Sequence, residues 1–321
     1  MDELSGVLAA LGERPWGRRG PRVTAVGLGC ARLGNLYRAI DDESASAVVD
    51  TAWDAGIRFF DTAPLYGNGL SELRVGAALA KRPRDQFVLC TKVGRLLREP
   101  AAGTKLDTIF ANAPRLDPVY AYARDSVQRS IEESLLRLGL DRIDVVHVHD
   151  PDDHEDEALA GAFPALIELR DQGVISAVGC GMNLWQMLDR FVQRVDLDCV
   201  LLAGRYSLLD RSGGDLLLPR CVERGVGVVV GGVFNSGLLA DPTANSTFDY
   251  GPAPEAMRDK ARDLAGACAA RGVSIVAAAV QFALRHEAVA SVVVGAQTVG
   301  EVEIDVRAAV APLPADLWTS L

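Results

Sequence analysis

An α/β chain folded as a (β/α)8 barrel, the TIM-barrel architecture, is what the sequence predicts, and three observations carry it. Eight short apolar runs alternate along the chain with longer amphipathic ones. The apolar runs are rich in Val and Ile and lack a polar residue at every second place, the pattern of strands buried on both faces. The polar residues that do punctuate them, among them Asp61, Lys92 and His149, fall at their C-terminal ends, where a barrel builds its active site. The rival is a doubly wound sheet, which announces its cofactor by Gly-x-Gly-x-x-Gly after the first strand. Here Gly27-Leu28-Gly29-Cys30-Ala31-Arg32 lacks the third glycine.

The strand runs are 24–28, 58–61, 87–92, 143–149, 175–181, 199–203, 226–231 and 289–295. Helical periodicity follows at 43–55, 70–80, 123–138, 155–171, 185–194, 214–224, 255–270 and 300–310, with one further helix at 274–285 ahead of the last strand. Asp41-Asp42-Glu43-Ser44 places capping residues and acids before the first helix, where the helix N-terminus favours both. Gly56, Gly139, Gly173, Gly225 and Gly272 close helical runs, as a helix C-terminus prefers. Two connections are long, 94–120 and 232–254. Both follow strands, so they are expected on the active-site face of a single barrel domain at 23–321. Residues 1–22 are expected as an N-terminal extension across the barrel bottom.

Charge and composition narrow the partners. With 33 basic and 43 acidic residues the net charge is 33 − 43 = −10, and no basic cluster with interleaved aromatics occurs, which argues against nucleic acid or an anionic membrane surface. No stretch approaches the ~18 apolar residues of a membrane span. The start Met1-Asp2-Glu3-Leu4 is acidic and the six cysteines form no Cys-x-x-Cys pair, so a reduced, cytoplasmic protein is expected. Oligomeric state does not follow from the sequence.

The chemistry concentrates in Phe59-Phe60-Asp61-Thr62-Ala63-Pro64-Leu65-Tyr66-Gly67. Tyrosine is a weak acid with a pKa near 10, and a neighbouring cation lowers it into a useful range. Lys92 ends the next strand and His149 the one after. A tyrosine in a loop is ordinarily a surface aromatic and a lysine at a strand end is ordinarily solvated; their joint placement at strand ends reverses both readings. His147 shares a strand face with His149, and Asp150, Asp152, Asp153 and His154 follow. A metal site there is disfavoured: the acids read as a helix N-terminal cap cluster and the ligand spacing is not diagnostic.

Asp61-Thr62-Ala63-x-x-Tyr66-Gly67 followed by Ser71-Glu72, Thr91-Lys92 and Asp144-x4-His149 resembles the aldo-keto reductases, over roughly residues 23–310. The resemblance implies a tetrad. Tyr66 is the general acid in reduction and the base in oxidation, Lys92 lowers its pKa, Asp61 holds Lys92, and His149 orients the substrate oxygen. It also implies a nicotinamide cofactor held by Gly29, Cys30, Asn183, Phe234, Asn235, Ser236, Gly237, Gly295, Thr298 and Asp305. Departures are evident. Met182 stands where the family often has Asn, Ala203 where it has Gln, and Gly231 where a Tyr commonly stacks on the nicotinamide. The Lys-Ser pair and Arg that grip the 2′-phosphate in NADPH-preferring relatives are replaced by Gly295, Ala296 and Glu301, the nearest cation in sequence being Arg307. A carboxylate beside a phosphate is repulsive, so NAD is expected as the preferred cofactor, with NADP left open.

The blocks at 149–154, 181–183, 205–210 and 231–237 resemble the subgroup with L-fucose dehydrogenase, D-threo-aldose 1-dehydrogenase and pyridoxal 4-dehydrogenase. That resemblance implies oxidation of an aldose (L-fucose, L-galactose or D-arabinose type) at C1 to a lactone, with Asp150, Trp185 and Arg205 as candidate pocket residues. Each has an ordinary alternative: a cap for Asp150, helix packing for Trp185, a surface ion pair for Arg205. The alternative functions are a pyridoxal dehydrogenase, a reductase of a carbonyl group in a biosynthetic pathway, and a non-catalytic cofactor-binding regulatory subunit.

Overall fold

Side chains on a strand alternate between faces, and in this chain that period of two sorts the functional residues into the barrel. The computed structural model describes residues 6–106, 108–242, 247–319 and 321. Residues 1–5 of the N-terminal segment and 243–246 of the 232–254 connection lie outside them. Eight parallel strands close on themselves: β1 Val26–Gly29, β2 Phe59–Asp61, β3 Val88–Arg98, β4 Val145–His149, β5 Ala177–Met182, β6 Cys199–Ala203, β7 Gly227–Gly231 and β8 Val289–Val294. Closure is made by β8 pairing with β1, Val294 opposite Leu28. Register then sets the upper rim level: Gly29 opposite Asp61, Lys92 opposite His147, and His149 opposite Gly181.

The strands are wrapped by helices whose apolar faces pack on the barrel wall, in a cluster that runs from Leu28 and Phe60 through Val148 to Val292. A second, smaller cluster fills the barrel interior. At its lower end Trp16, fully buried, stacks edge-on against Phe59 at 4.9 Å and His147 at 5.3 Å. Trp16 stands at the turn of an antiparallel hairpin, Glu13–Pro15 with Arg22–Thr24. Arg19 from the same turn binds Asp196 and Asp198 at 2.6 and 2.7 Å, tying the hairpin to the segment before β6.

The connection 94–120 departs from the expected loop. β3 continues to Arg98 and pairs antiparallel with Asp117–Ala121, so a hairpin arm rises from the barrel rim. Asn68, in the turn after Tyr66, donates to the carbonyls of Pro114 and Leu116 at 3.0 and 2.9 Å, fastening the arm beside the site.

Candidate active site

Four strand ends supply the site, and each side chain is aimed by alternation along its strand. Phe59 and Asp61 share the inner face of β2, Cys90 and Lys92 that of β3, and Val145, His147 and His149 that of β4. The wall of β5 has to recede to admit them. A Cβ at Gly179 would sit 2.5 Å from His147 Cδ2 and 2.6 Å from the Cys199 carbonyl oxygen, so glycine is what lets the imidazole lie across the barrel. His147 is fully buried between Cys90 and Cys199, whose sulfurs lie 3.7 and 3.5 Å from its two ring nitrogens.

Above that layer Lys92 and Asp61 form a buried pair. Nζ donates to both carboxylate oxygens at 2.9 and 2.8 Å and to the Thr62 carbonyl at 2.8 Å, which uses all three ammonium hydrogens. Burial works most strongly against the charge on Lys92, but Asp61, with Tyr66 and Cys90 adding to it, offsets burial, and the ammonium is held above its ordinary value. Ligand-type atoms of Asp61, Cys90 and His147 cluster within 4.8 Å, but the Asp61 carboxylate there is already taken by Lys92. The Ser71-Glu72 pair is scaffold. Ser71 donates to the Cys30 carbonyl at 2.8 Å, while Glu72 accepts from Thr91 at 2.7 Å and from Arg137 at 2.6 Å, fixing β3 next to Lys92.

Tyr66 lies over this pair, its ring centroid 4.6 Å from Lys92 Nζ and 5.7 Å, edge-on, from the His149 ring. Lys92 favours the phenolate, as the sequence implies. Burial outweighs it, however, and the phenol sits above its ordinary value. His149 is pushed well below its ordinary value by burial, then by the charges of Arg95 and Lys92, so it is neutral at physiological pH.

Arg95, which sequence reasoning missed, organises the rim beside His149. From the β3 extension it donates to the His149 carbonyl at 3.2 Å and the Tyr120 hydroxyl at 3.3 Å, and lies 3.6 Å from Asp150 Oδ2. Tyr122 donates to the carbonyls of His149 and Asp150, both at 3.3 Å. These contacts hold Asp150 at φ 40°, a left-handed conformation that is costly for a residue with a Cβ and is tolerated where surroundings impose it. The Asp150 carboxylate lies 3.4 Å from His149 Nε2, and burial pushes it up to about 6 despite Arg95.

Two joined cavities open over these groups. One of about 210 Å³ is lined by Tyr66, Lys92, His149 and Asp150, with Phe110 and Met182 among its apolar walls. The other, of about 280 Å³, runs from Tyr66 and Asn183 along Gly29, the 231–237 loop and Gly295. Its shape and donors fit a dinucleotide. Ala203 and Gly231 offer the lining only a methyl group and backbone, the loop turns through positive φ at Gly232, Asn235, Ser236 and Gly237, and a buried guanidinium nitrogen, Nε of Arg32, lacks a partner.

Several expected contacts are placed elsewhere. Gly29, Asn183, Phe234, Asn235, Ser236 and Gly237 line the longer cavity with Gly295, although Asn235 spends its side chain on Ser207 at 2.6 Å and the Gly204 carbonyl at 3.1 Å. Cys30 points into the core, because the chain turns helically straight after Gly29 and reverses its direction. Thr298 caps the last helix in a reciprocal box with Glu301. Asp305 is buried on that helix outside the cavity lining, its carboxyl pushed up to about 7 by burial and then by Glu301. Trp185 packs against the core at the start of its helix. Arg205 is engaged by Asp249 at 2.9 and 2.7 Å, so it anchors a lining residue and does not line the cavity itself.

Comparison with known proteins agrees with this arrangement. The Aldo/keto reductase family profile matches residues 25–321. The chain is 43% identical to a D-threo-aldose 1-dehydrogenase of Pseudomonas sp, over 94% of each chain. It is 40% identical to a pyridoxal 4-dehydrogenase of Microbacterium luteolum, covering 98% of this chain and 97% of that one. Among solved structures, the holo form of an aldo-keto reductase from Bacillus halodurans superimposes with a TM-score of 0.77 at 28% identity, over 97% of this chain and 95% of that one. The chain belongs to the aldo/keto reductase family and is an NAD(P)-dependent oxidoreductase.

Proposed function

We propose that the protein oxidises an aldose at C1 to the lactone, with NAD as the preferred hydride acceptor. The observation that carries this reading is the Asp150 carboxylate beside Tyr66 and His149 in one cavity of about 210 Å³. A sugar hemiacetal offers a C1 hydroxyl to Tyr66 and neighbouring hydroxyls that a carboxylate accepts. The name of the relative at 43% identity supports the same substrate class.

In the oxidative direction a bound nicotinamide would take the hydride from C1. Tyr66, as phenolate, receives the hydroxyl proton as the C1 carbonyl forms. Lys92, pinned by Asp61, supplies the charge that favours that phenolate. Neutral His149 can donate a hydrogen bond to the same oxygen, and Arg95 and Tyr122 hold the His149 backbone in place. NAD preference rests on Glu301 at the phosphate-gripping position.

A pyridoxal-type aldehyde in its hemiacetal form is the second reading. The apolar walls at Phe110 and Met182 and the name of the relative at 40% identity support it. The test is reduction of NAD and, separately, NADP, followed by absorbance over L-fucose, L-galactose, D-arabinose, other aldoses and pyridoxal. Turnover with one stereochemical set of aldoses is expected. Silence on every aldose discards the sugar reading, and a tenfold preference for NADP discards the cofactor reading.

A further inference from the structure

A dinucleotide brings a doubly charged pyrophosphate into its cleft, and the segment after β8, where NADPH-preferring relatives grip the 2′-phosphate with Lys-Ser and Arg, holds Gly295, Ala296 and Glu301 instead. Among the described residues lining the longer cavity, Arg32 is the one cation. The two carboxylates in that lining are already neutralised, Asp61 by Lys92 and Asp249 by Arg205.

Arg32 leaves the helical turn Cys30–Gly34 after β1 and lies across the end of β8. Its Cδ and Cγ are 3.3 and 3.4 Å from where a Cβ of residue 295 would stand. The arginine stem therefore takes the space that a side chain at 295 would need. The guanidinium is only loosely engaged, with Nη2 donating to Gln297 Oε1 at 3.3 Å and lying 3.7 Å from Glu301 Oε1. Glu301 meanwhile accepts from the Gln297 backbone N–H at 2.6 Å through its other oxygen. The Arg32 Nε is buried without a partner. The turn is well anchored all the same, since Gln297 Nε2 donates to the carbonyls of Arg32, Leu36 and Arg38 at 3.3, 3.3 and 2.8 Å. A fixed turn, long contacts and an orphaned donor beside a glycine describe a cation with capacity for an anion.

We propose that Arg32, reaching across from the turn after β1, binds a phosphate of the dinucleotide. The proposal rests on the reading that this cleft holds a nicotinamide dinucleotide. The phosphate is either the pyrophosphate common to NAD and NADP or the 2′-phosphate of NADP, and one titration series separates them.

Calorimetric titration of the wild-type protein, Arg32→Ala and Arg32→Ala/Gly295→Lys is carried out with NAD, NADP, ADP, 2′,5′-ADP and adenosine. Arg32→Ala is expected to weaken a phosphate-bearing ligand by about 10–100-fold, the scale of one charge-assisted hydrogen bond, and to leave adenosine unchanged. Loss shared by NAD and ADP identifies the pyrophosphate; loss confined to NADP and 2′,5′-ADP identifies the 2′-phosphate. Returning a cation at 295 in the double variant is expected to restore part of the affinity. Wild-type affinity for all four phosphate ligands in Arg32→Ala overturns the proposal and leaves the cofactor reading standing. Failure of the wild-type protein to bind NAD and NADP overturns the reading beneath it and the proposal together.

Discussion

Replacing Asp61 by Asn isolates what the buried pair contributes. Lys92 is 1% exposed and spends its three donors on the two Asp61 oxygens and the Thr62 carbonyl. In Asp61→Asn one acceptor becomes an NH2 group facing an ammonium, and the charge that offset burial is gone. Breaking a buried ion pair from one side costs about 3–5 kcal/mol, a large share of the roughly 5–15 kcal/mol that stabilises a typical domain. For a chain of 321 residues that lowers the melting temperature by about 4–7 °C. Denaturant unfolding at pH 7 of the wild-type protein, Asp61→Asn, Lys92→Met and the double variant measures it. Removing both charges leaves no uncompensated ion, so the double variant is expected to recover more than half the loss of Asp61→Asn. The pH dependence has a definite sign. In the wild-type protein the Lys92 pKa is raised on folding, so its contribution is complete below its unfolded value near 10.5. It is lost only as pH rises through the still higher folded value. In Asp61→Asn the main opposing charge is gone and burial, the largest influence on Lys92, lowers that pKa, so the deficit should shrink between pH 7 and 10 as the lysine sheds its proton. A deficit under about 1 kcal/mol, or a double variant no better than the sum of the singles, refutes the reasoning.

Tyr66→Phe removes the proposed proton acceptor and keeps the ring; kcat should fall by about 10²–10⁴-fold while the NAD dissociation constant, read by calorimetry, stays put, and retained turnover would remove Tyr66 from its role. Asp150, with its carboxyl pushed up to about 6, should impose a fall in kcat/KM for a hydroxylated substrate below that pH; the limb should vanish in Asp150→Asn, and its persistence there would assign it to another group. Trp16→Ala should cost about 3–5 kcal/mol in denaturant unfolding, since the ring is fully buried against Phe59 and His147; a loss near zero would mean the hairpin is not part of the folded core.

The barrel was legible because strand burial on two faces writes itself as continuous apolar runs, and the gathering of Asp61, Lys92 and His149 beside Tyr66 because polar residues ending such runs break that pattern conspicuously. What the sequence hid depends on direction or on distance along the chain. Cys30 and Gly29 are adjacent, yet the helical turn after β1 sends one into the core and leaves the other on the cleft. Arg205 and Asp249 pair across 44 positions, a partnership that sequence spacing does not reveal. Arg95 looked like part of a loop because its strand pairs outside the barrel, with Asp117–Ala121. Arg32 meets the segment after β8 only through the fold, contacting Gln297 from 265 positions away.

If Tyr66 accepts the proton as proposed, its environment sets the favoured direction. Lys92 and Asp61 act on the phenol with opposite signs, because a lysine held this tightly brings its counter-ion with it, and burial adds to the Asp61 side. The phenol therefore sits above the ordinary value near 10, which keeps it protonated for carbonyl reduction, though as a weaker acid, and makes it a phenolate only at alkaline pH. Oxidation that needs the phenolate should then accelerate by about tenfold per pH unit from pH 7 to 10, as the ionised fraction grows, while reduction should stay level over the same range. Initial rates in both directions on one substrate, with cofactor saturating, test this. A plateau in oxidation beginning below pH 8 would mean that the charge of Lys92 prevails over burial once the site is filled, and the sign argued for Tyr66 would be reversed.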